Sequence, residues 1–473
     1  MAEVVILGAG ITGLFAAYFL EQVNFHNYEI FEKENIAGGL LRSFHLNGFT
    51  FDISGHWLHL NNPTSSAIIN EIIKLEDLRL INRNAAIFYK EHLAKYPFQI
   101  NLAGLPPTII YECIEGYISR NRYKNKIQNF ENWIYAKFGK GLARHFFIPL
   151  NKKLHTTSLK NLTTHWTMKY VPKTTLKEMI YGALGVSSQK IGYNSSFLYP
   201  SQNGIQVIID NLQKKIHKKI KTCHEAKKIN LKNKTIYFTN GTNVKYERII
   251  NTIPLKKFLS ILEEPANENL NVLAKYLKHN SVINFNLGFK KKMPYDYHWI
   301  YFPEKIYSFY RLGFWSNISP TLAPQNKSSL YGEIPIPPTF TKTKIEKLTE
   351  RAIQQTLNFI KMSPNDVVIK KNLLIKYAYV RYDKWREKNI KKILKKLQEI
   401  NICSGGRYGE WKYSSMEDAI WDAKILVEKT LAHKFKIIPA QKYKTKTKSS
   451  SCPKISFGIE DHQIKTKKGA TVK

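Results

Sequence analysis

The stretch "VVILGAGITGLFAAYFLEQ", residues 4–22, constrains the fold more than any other part of the chain. An apolar strand over residues 4–7 passes through Gly8, Gly10 and Gly13 into a helix whose apolar positions recur at Leu14, Ala17 and Tyr18. Glycines at this spacing allow a tight turn, a close approach of backbone to phosphate, and close packing of helix on strand. The helix N-terminus then presents unpaired N–H groups to an anion. A second strand, "YEIFEKE", carries Glu32 at its end, 19 residues after Gly13, where a carboxylate accepts both hydroxyls of an adenosine ribose. Strand, glycines, helix and acid together specify a βαβ dinucleotide cradle, where an isolated glycine motif would specify little.

A chain of 473 residues is too long for one core and is expected to divide into two or three lobes. No apolar run approaches the roughly 18 residues a membrane helix needs, so no membrane span is expected. The start, "MAEVVILGAG", lacks the basic opening and cleavage site of a secretory signal, which makes a cytoplasmic location the expectation. Cys113, Cys223, Cys403 and Cys452 lie far apart without a CxxC pair or histidines at ligand spacing, so they read as reduced thiols and no metal is expected. The net charge of +37 raises nucleic acid as a partner. The lysines, however, are scattered throughout, as in "KKIHKKIKTCHEAKKINLKNKTIYF", and no recognition helix, zinc finger or stacking motif accompanies them, so nucleic acid is not the expected partner. Only the tail from about residue 440, "QKYKTKTKSSSCPK", is a concentrated basic low-complexity segment, and it reads as a disordered appendage.

Apolar spacing predicts helices over 64–76, 131–147, 204–219, 343–361 and 386–400, and a last one from about Met416 into the 430s. Short strands are expected at "KTIYFTN", "ERIINTIP", "SVINFNLGF", "HWIYFP" and "KSSLYGEIPI", with a return to an apolar strand at "INICSG".

Directly after Glu32 comes "IAGGLLRSF", residues 36–44. Gly38 and Gly39 let the backbone approach a pyrophosphate, and Arg42 can reach its charge. This tract, coupled to the earlier glycine motif, is the signature of FAD-binding proteins of the amine oxidase type. Further along, "FDISGHWLH", "YPFQINLAGLP", "FFIPLNKKLHT", "NSSFLYPSQNGI", "HWIYFPEKIYSFYRLGFWSNISP" and "GRYGEWKYSSMEDA" follow one another in the order of similar blocks in the UDP-galactopyranose mutase family. Over residues 4 to about 430 the chain resembles that family.

The resemblance implies FAD as cofactor and an α/β fold: a discontinuous Rossmann-type FAD-binding domain with a helical segment and a mixed or antiparallel-sheet substrate domain. The FAD-binding domain is expected over 1–95, 200–260 and 398–432, the helical segment over 96–199, the sheet-containing substrate domain over 261–397, and the basic tail over 433–473. The implied reaction interconverts pyranose and furanose forms of a UDP-sugar through an adduct at N5 of reduced flavin, for cell-surface polysaccharide synthesis. The sugar and the electron donor for the flavin stay open. His56, in the turn "SGH", resembles a histidine against the flavin ring, and Arg407 in "GRYGEWKY" resembles an arginine near the cofactor, with Tyr413 near the substrate phosphates. Arg311 is similar to the arginine that grips the diphosphate, with Tyr301 beside it. Gln99 and Asn194 resemble polar residues of the sugar pocket, Phe146 a residue flanking the uracil, and Asn151 closes that block.

The chain departs from the family at three places. Ser54 stands where the turn has a glycine, His155 where there is a tryptophan, and Tyr170, with Lys169 beside it, where a second diphosphate arginine lies. Read without the resemblance, a satisfied core histidine is the alternative for His56 and a plain surface loop for Arg407, while core packing accounts for Phe146 about as well as a ligand does. Arg311 has two readings. A ligand diphosphate can be its partner, in which case its removal strands no buried anion; or a remote carboxylate, the first downstream being Glu333, holds it in an ion pair. An oxidase of the amine or protoporphyrinogen type is the alternative enzyme, and a non-enzymatic basic binding protein needs none of the flavin motifs.

The tail has little to bury and too many like charges to collapse. A chain ending at residue 438 is expected to keep its flavin and its melting temperature, and a large loss of either in a truncation series would show that the tail is structural.

Overall fold

The computed structural model describes residues 2–167, 171–172, 174–186, 195–263 and 269–432. The predicted cradle is the centre of a seven-stranded sheet. Ala2–Leu7 pairs in parallel with Tyr28–Phe31 on one side and with Asn243–Asn251 on the other. Ile402–Ser404 adds a further parallel pairing to Asn243–Asn251, and Thr235–Phe238, Ala226–Asn230 and Leu262–Glu263 extend the edge. The first strand is buried on both faces, which is why it reads as an unbroken apolar run. Val4 and Ile6 pack with Leu14 and Ala17 of helix Ile11–Gln22 and with Ala423 and Leu426 of helix Met416–Leu431. Val5 and Leu7 face the opposite layer, with Phe258, Ile390 and Leu397.

A second seven-stranded sheet carries, in order, Val367–Ile375, Ser281–Phe289, Ser328–Ile336, Arg311–Gly313, Trp299–Tyr301, Ala85–Tyr89 and His92–Lys95. Alternation gives it two distinct faces. Leu312, Leu330, Ile334 and Ile336 pack under helix Lys342–Ile360, in a core with Ala352 and Leu357. Tyr331 belongs instead to the core on the cradle side, as does Trp299. Helices Pro107–Ile118, Phe130–Leu142, Ile148–His155 and Leu176–Ala183 form a separate helical layer around Cys113, Ile134, Phe138 and Met179.

The mixed α/β architecture expected from the resemblance is present, and two of the expected boundaries move. Residues 85–95, expected in the first FAD-binding segment, are two strands of the second sheet. Helix Lys384–Glu399, expected with the substrate domain, packs its Ile390, Ile393 and Leu397 beneath the first sheet. The helix expected over 131–147 is interrupted at Gly139, whose φ is +76°, and winds through a π-turn at Ala143–Phe147. A side chain at Gly139 would place its Cβ 1.8 Å from the Gly116 carbonyl oxygen, so the crossing of the two helices sets that break.

Candidate functional site

Helix Ile11–Gln22 begins directly after Gly10, and no side chain caps it, so its first N–H groups are open to a ligand. A Cβ on Gly13 would stand 1.9 Å from the Gly8 carbonyl oxygen, which forces glycine there for the helix to lie on the strand. Gly10 differs. A Cβ built on it meets nothing nearer than Gly39 Cα at 4.0 Å, so the space above the helix start is open and bounded by the second glycine pair. Gly38 N–H donates to the Ala9 carbonyl at 2.8 Å, and Gly38 and Gly39 take left-handed φ values of +118° and +58°. Arg42 braces that turn through Nε to the Gly39 carbonyl at 2.9 Å and an ion pair with Glu34 at 3.7 Å. Glu32 is buried and accepts N–H groups from Ala9 at 2.9 Å and Glu34 at 3.0 Å, one on each oxygen. Each oxygen keeps a lone pair for a ribose hydroxyl.

Arg407 lies against the same cradle. The backbone at Gly406 has φ +75°, and a Cβ there would come 2.5 Å from Thr12 Oγ1 at the helix start. The Arg407 guanidinium donates to the carbonyls of Ser414 at 3.3 Å and Ala378 at 3.2 Å, and stands 5.0 Å from the Tyr413 ring and 5.8 Å from the Tyr379 ring. Tyr413 stacks on Trp166 at 5.9 Å and on Tyr379 at 5.7 Å, and its N–H donates to the Tyr382 hydroxyl at 2.6 Å.

Arg311 is paired. Its Nε donates to Glu333 Oε2 at 2.6 Å, with the carboxylate 2% exposed. The two stand directly opposite in the antiparallel pairing of Arg311–Gly313 with Ser328–Ile336, and Tyr301 stands opposite Arg311 on its other side. The ion-pair reading of Arg311 therefore holds for Nε, and the expectation that its removal strands no buried anion is corrected. Burial alone would raise the Glu333 carboxyl, but the Arg311 charge and hydrogen bonds from Arg311, Ser54 and Tyr310 outweigh it and hold the group below the usual carboxylate range. The Arg311 guanidinium also lies 5.5 Å from the Tyr310 ring, and Tyr310 and Tyr379 share a hydroxyl–hydroxyl bond of 2.8 Å. Arg311 and Arg407 thus flank one hydrogen-bonded pair of phenols.

His56 sits among these charges with Nδ1 buried and unpartnered. Burial, helped by the nearby Arg407 charge and opposed by Glu333, lowers its pKa to about 4, so it is neutral at pH 7. Phe146 is 3% exposed and stacks on Phe98 at 4.8 Å inside the helical-layer core, as the packing alternative holds. Gln99, 2% exposed, donates to the Pro172 carbonyl at 3.2 Å, and Asn151 donates to the Phe147 carbonyl at 2.8 Å, at the end of the preceding π-turn. His155 is buried with both ring nitrogens unpartnered, 5.5 Å from the Trp166 ring. Asn194, Lys169, Tyr170 and the basic tail lie outside the described residues. Tyr310, Tyr379 and Trp166 were not singled out from sequence, and Glu333 was named only as the first carboxylate downstream of Arg311. For Glu333 the signal existed: two short apolar runs around "YRLG" and "GEIP" place arginine and glutamate opposite one another once they pair.

With this geometry in place, a model of the flavin-containing amine oxidoreductase family matches residues 11–424, and the chain belongs to that family. Its cofactor is FAD, and the open space between Gly10 and Gly39, the acceptor capacity of Glu32 and the unpartnered His56 Nδ1 fit it. The chain is similar to a solved reduced UDP-galactopyranose mutase at 25% identity with a TM-score of 0.84, over 92% of this chain and 94% of that one. It is similar in fold to a putative protoporphyrinogen oxidase from Exiguobacterium sp. 255-15, at 15% identity and TM-score 0.71, over 91% of this chain and 99% of that one. The fold likeness extends to a putrescine oxidase bound to putrescine, at 12% identity and TM-score 0.56, over 91% and 99% of the two chains. Among the described residues no helix is long and apolar enough to cross a membrane, and no group of acidic, histidine or cysteine side chains could hold a metal.

Gly10→Leu is expected to fold and to purify without FAD, because its side chain fills ligand space rather than protein space; stoichiometric flavin in that variant would show the cradle to be assigned wrongly. The histidines give a pH dependence. His56, His155 and His298 are each lowered by burial from 6.5 to about 4. Between those values the unfolded chain binds more protons than the folded one, so stability falls as pH drops from 6.5 toward 4, by about 1.4 kcal/mol per pH unit for each group. Denaturant midpoints measured across that range are expected to show this slope, and His155→Phe is expected to make it shallower.

Proposed function

We propose that this member of the flavin-containing amine oxidoreductase family acts on a nucleotide sugar, interconverting the pyranose and furanose forms of a UDP-sugar. The observation that carries this reading is the pair of guanidiniums, Arg311 and Arg407, on either side of the Tyr310–Tyr379 phenol pair. Such an arrangement suits an anion rich in oxygen, because charged donors and hydroxyls converge on one place. Arg311 would hold the diphosphate through its terminal nitrogens, since Nε is committed to Glu333. Tyr301 and Tyr413 would add hydroxyl donors, and the stack of Trp166, Tyr413 and Tyr379 would exclude water from the reacting sugar. Bound FAD in its reduced form supplies an electron-rich nitrogen for the anomeric carbon, and no net oxidation results. Neutral His56 can lie against that ring without adding charge. The chain's part is to keep the departing diphosphate within reach until it returns.

A second reading, removal of a hydride from an organic substrate, is favoured by one observation. Glu333 already neutralises Arg311, and the surrounding walls are aromatic, as an apolar channel would need. The two separate in one assay. The dithionite-reduced protein is expected to interconvert UDP-galactopyranose and UDP-galactofuranose while the oxidised protein does not; oxygen consumption with an amine and no sugar isomerisation would favour the second.

For Arg311 the expected outcomes follow from its partner. Arg311→Ala leaves Glu333 buried without a cation and should lose about 3–5 kcal/mol of stability. Arg311→Lys keeps a charge for Glu333 but not the fork, so it should fold while its affinity for UDP falls about tenfold. Thermal melts beside calorimetric titration check both, and unchanged UDP affinity in Arg311→Lys would remove Arg311 from the substrate site.

A further inference from the structure

Ser54 holds φ +64°, a left-handed conformation in which glycine is at ease and serine is not. A side chain at this backbone angle is strained, and its hydroxyl makes a contact that glycine could not. It donates to Oε1 of Glu333, whose other oxygen takes Arg311 Nε at 2.6 Å. The Ser54 N–H donates to Asn284 Oδ1 at 3.3 Å. Asn284, Glu333, Arg311 and Tyr301 form one row across four adjacent strands, each directly opposite the next. Asn284 is itself fixed by Asn286 Nδ2 at 2.9 Å, and Asn286 Oδ1 accepts from Trp315 Nε1 at 3.0 Å. The turn that carries His56 is therefore bonded at two points to the row that carries Arg311.

We propose that Glu333 is a positioning residue that couples the flavin-side turn, residues 54–56, to the Arg311 guanidinium, with the Ser54 hydroxyl as the link. This rests on the reading that the turn faces FAD and that Arg311 faces the substrate diphosphate. A single carboxylate, 2% exposed, has one oxygen on each partner, so neither the turn nor the guanidinium can shift without loosening a bond of the other. A glycine at residue 54 would accept the backbone angle and cut the link. Because coupling free energies are reciprocal, an anion seated on Arg311 changes the environment of the flavin, and the flavin's redox state changes the affinity for that anion.

The test is a double-mutant cycle of Ser54→Gly and Arg311→Lys, read as the midpoint potential of the bound FAD without any substrate. Lysine keeps the charge, so its effect on the flavin travels through geometry. Arg311→Lys is expected to shift the potential in the wild-type background and to shift it by less than half as much beside Ser54→Gly; equal shifts in the two backgrounds would overturn the proposal. A second arm measures UDP dissociation constants for the oxidised and reduced forms. Their ratio should move toward one in Ser54→Gly, and an unmoved ratio counts against the link. If UDP binds neither form of the wild-type protein, the nucleotide-sugar reading fails, while the cycle on the potential still decides this inference.

Discussion

The structure depends first on how closely helix Ile11–Gln22 lies on strand Ala2–Leu7. With a Cβ at residue 13 placed 1.9 Å from the Gly8 carbonyl, any side chain there would lift the helix away. Lifting it would open the core in which Val4 and Ile6 meet Leu14 and Ala17, and would turn the first N–H groups away from a bound phosphate. Its other consequence is the placement of Gly406 against Thr12, which brings Arg407 to the same end of the sheet. The cofactor cradle and the placement of Arg407 beside it therefore follow from one steric requirement.

The second sheet supplies the rest by a different rule. Alternation sends Leu312, Leu330 and Ile334 to one face and Arg311, Tyr331 and Glu333 to the other. A mostly buried arginine, 12% exposed, and a buried glutamate opposite one another cost desolvation that their mutual attraction offsets only when the geometry is good. Here the pair has a further hydrogen bond from the Ser54 hydroxyl, and rings of Tyr310 and Tyr331 lie at 5.5 and 5.7 Å from the guanidinium. Replacing either charged partner alone leaves the other stranded, so the site arginine cannot be judged by a simple deletion. Lys153 holds the connection between Tyr301 and Arg311 in place, donating to the carbonyls of Phe302, Glu304 and Phe309 at 2.6–3.0 Å.

Legibility in the sequence tracked how local each signal was. The cradle was readable because strand, glycines, helix and acid lie within a short span and each has a steric or polar reason. The long helices at 342–360 and 384–399 were readable from their apolar spacing. Strand Val367–Ile375 was not, because its lysines and asparagine break the apolar alternation while the backbone still pairs along Ser281–Phe289. The Arg311–Glu333 pair was half readable: the lone cation in an aromatic segment was visible, but its partner depends on register across a loop, which spacing alone does not set. Phe146 shows the converse, a block similar to the family's whose aromatic ring is spent on core packing.

The charge of the chain has a distribution that its total conceals. Among the described residues the buried carboxylates are Glu21, Glu32, Asp52, Glu333, Asp366 and Asp422, whereas Arg386 is the one buried lysine or arginine. With 73 basic residues against 36 acidic ones, the interior thus carries the opposite bias to the whole. Each acid has structural work. Glu21 accepts from Tyr28 at 2.5 Å and from the backbone of His217 at 3.0 Å, and Asp52 accepts from Ser43 at 2.6 Å, Tyr199 at 2.5 Å and the Ile205 N–H at 3.2 Å. Asp52 meets these donors deep inside, where burial pushes its carboxyl up to about 6 despite them. Such positions cannot drift to lysine, because an ammonium has no lone pairs for the donors around it. Exposed positions can, at little cost in stability. The net charge of +37 is therefore not carried by the buried positions among the described residues, and the anion site proposed above draws instead on two guanidiniums held by partners within the fold.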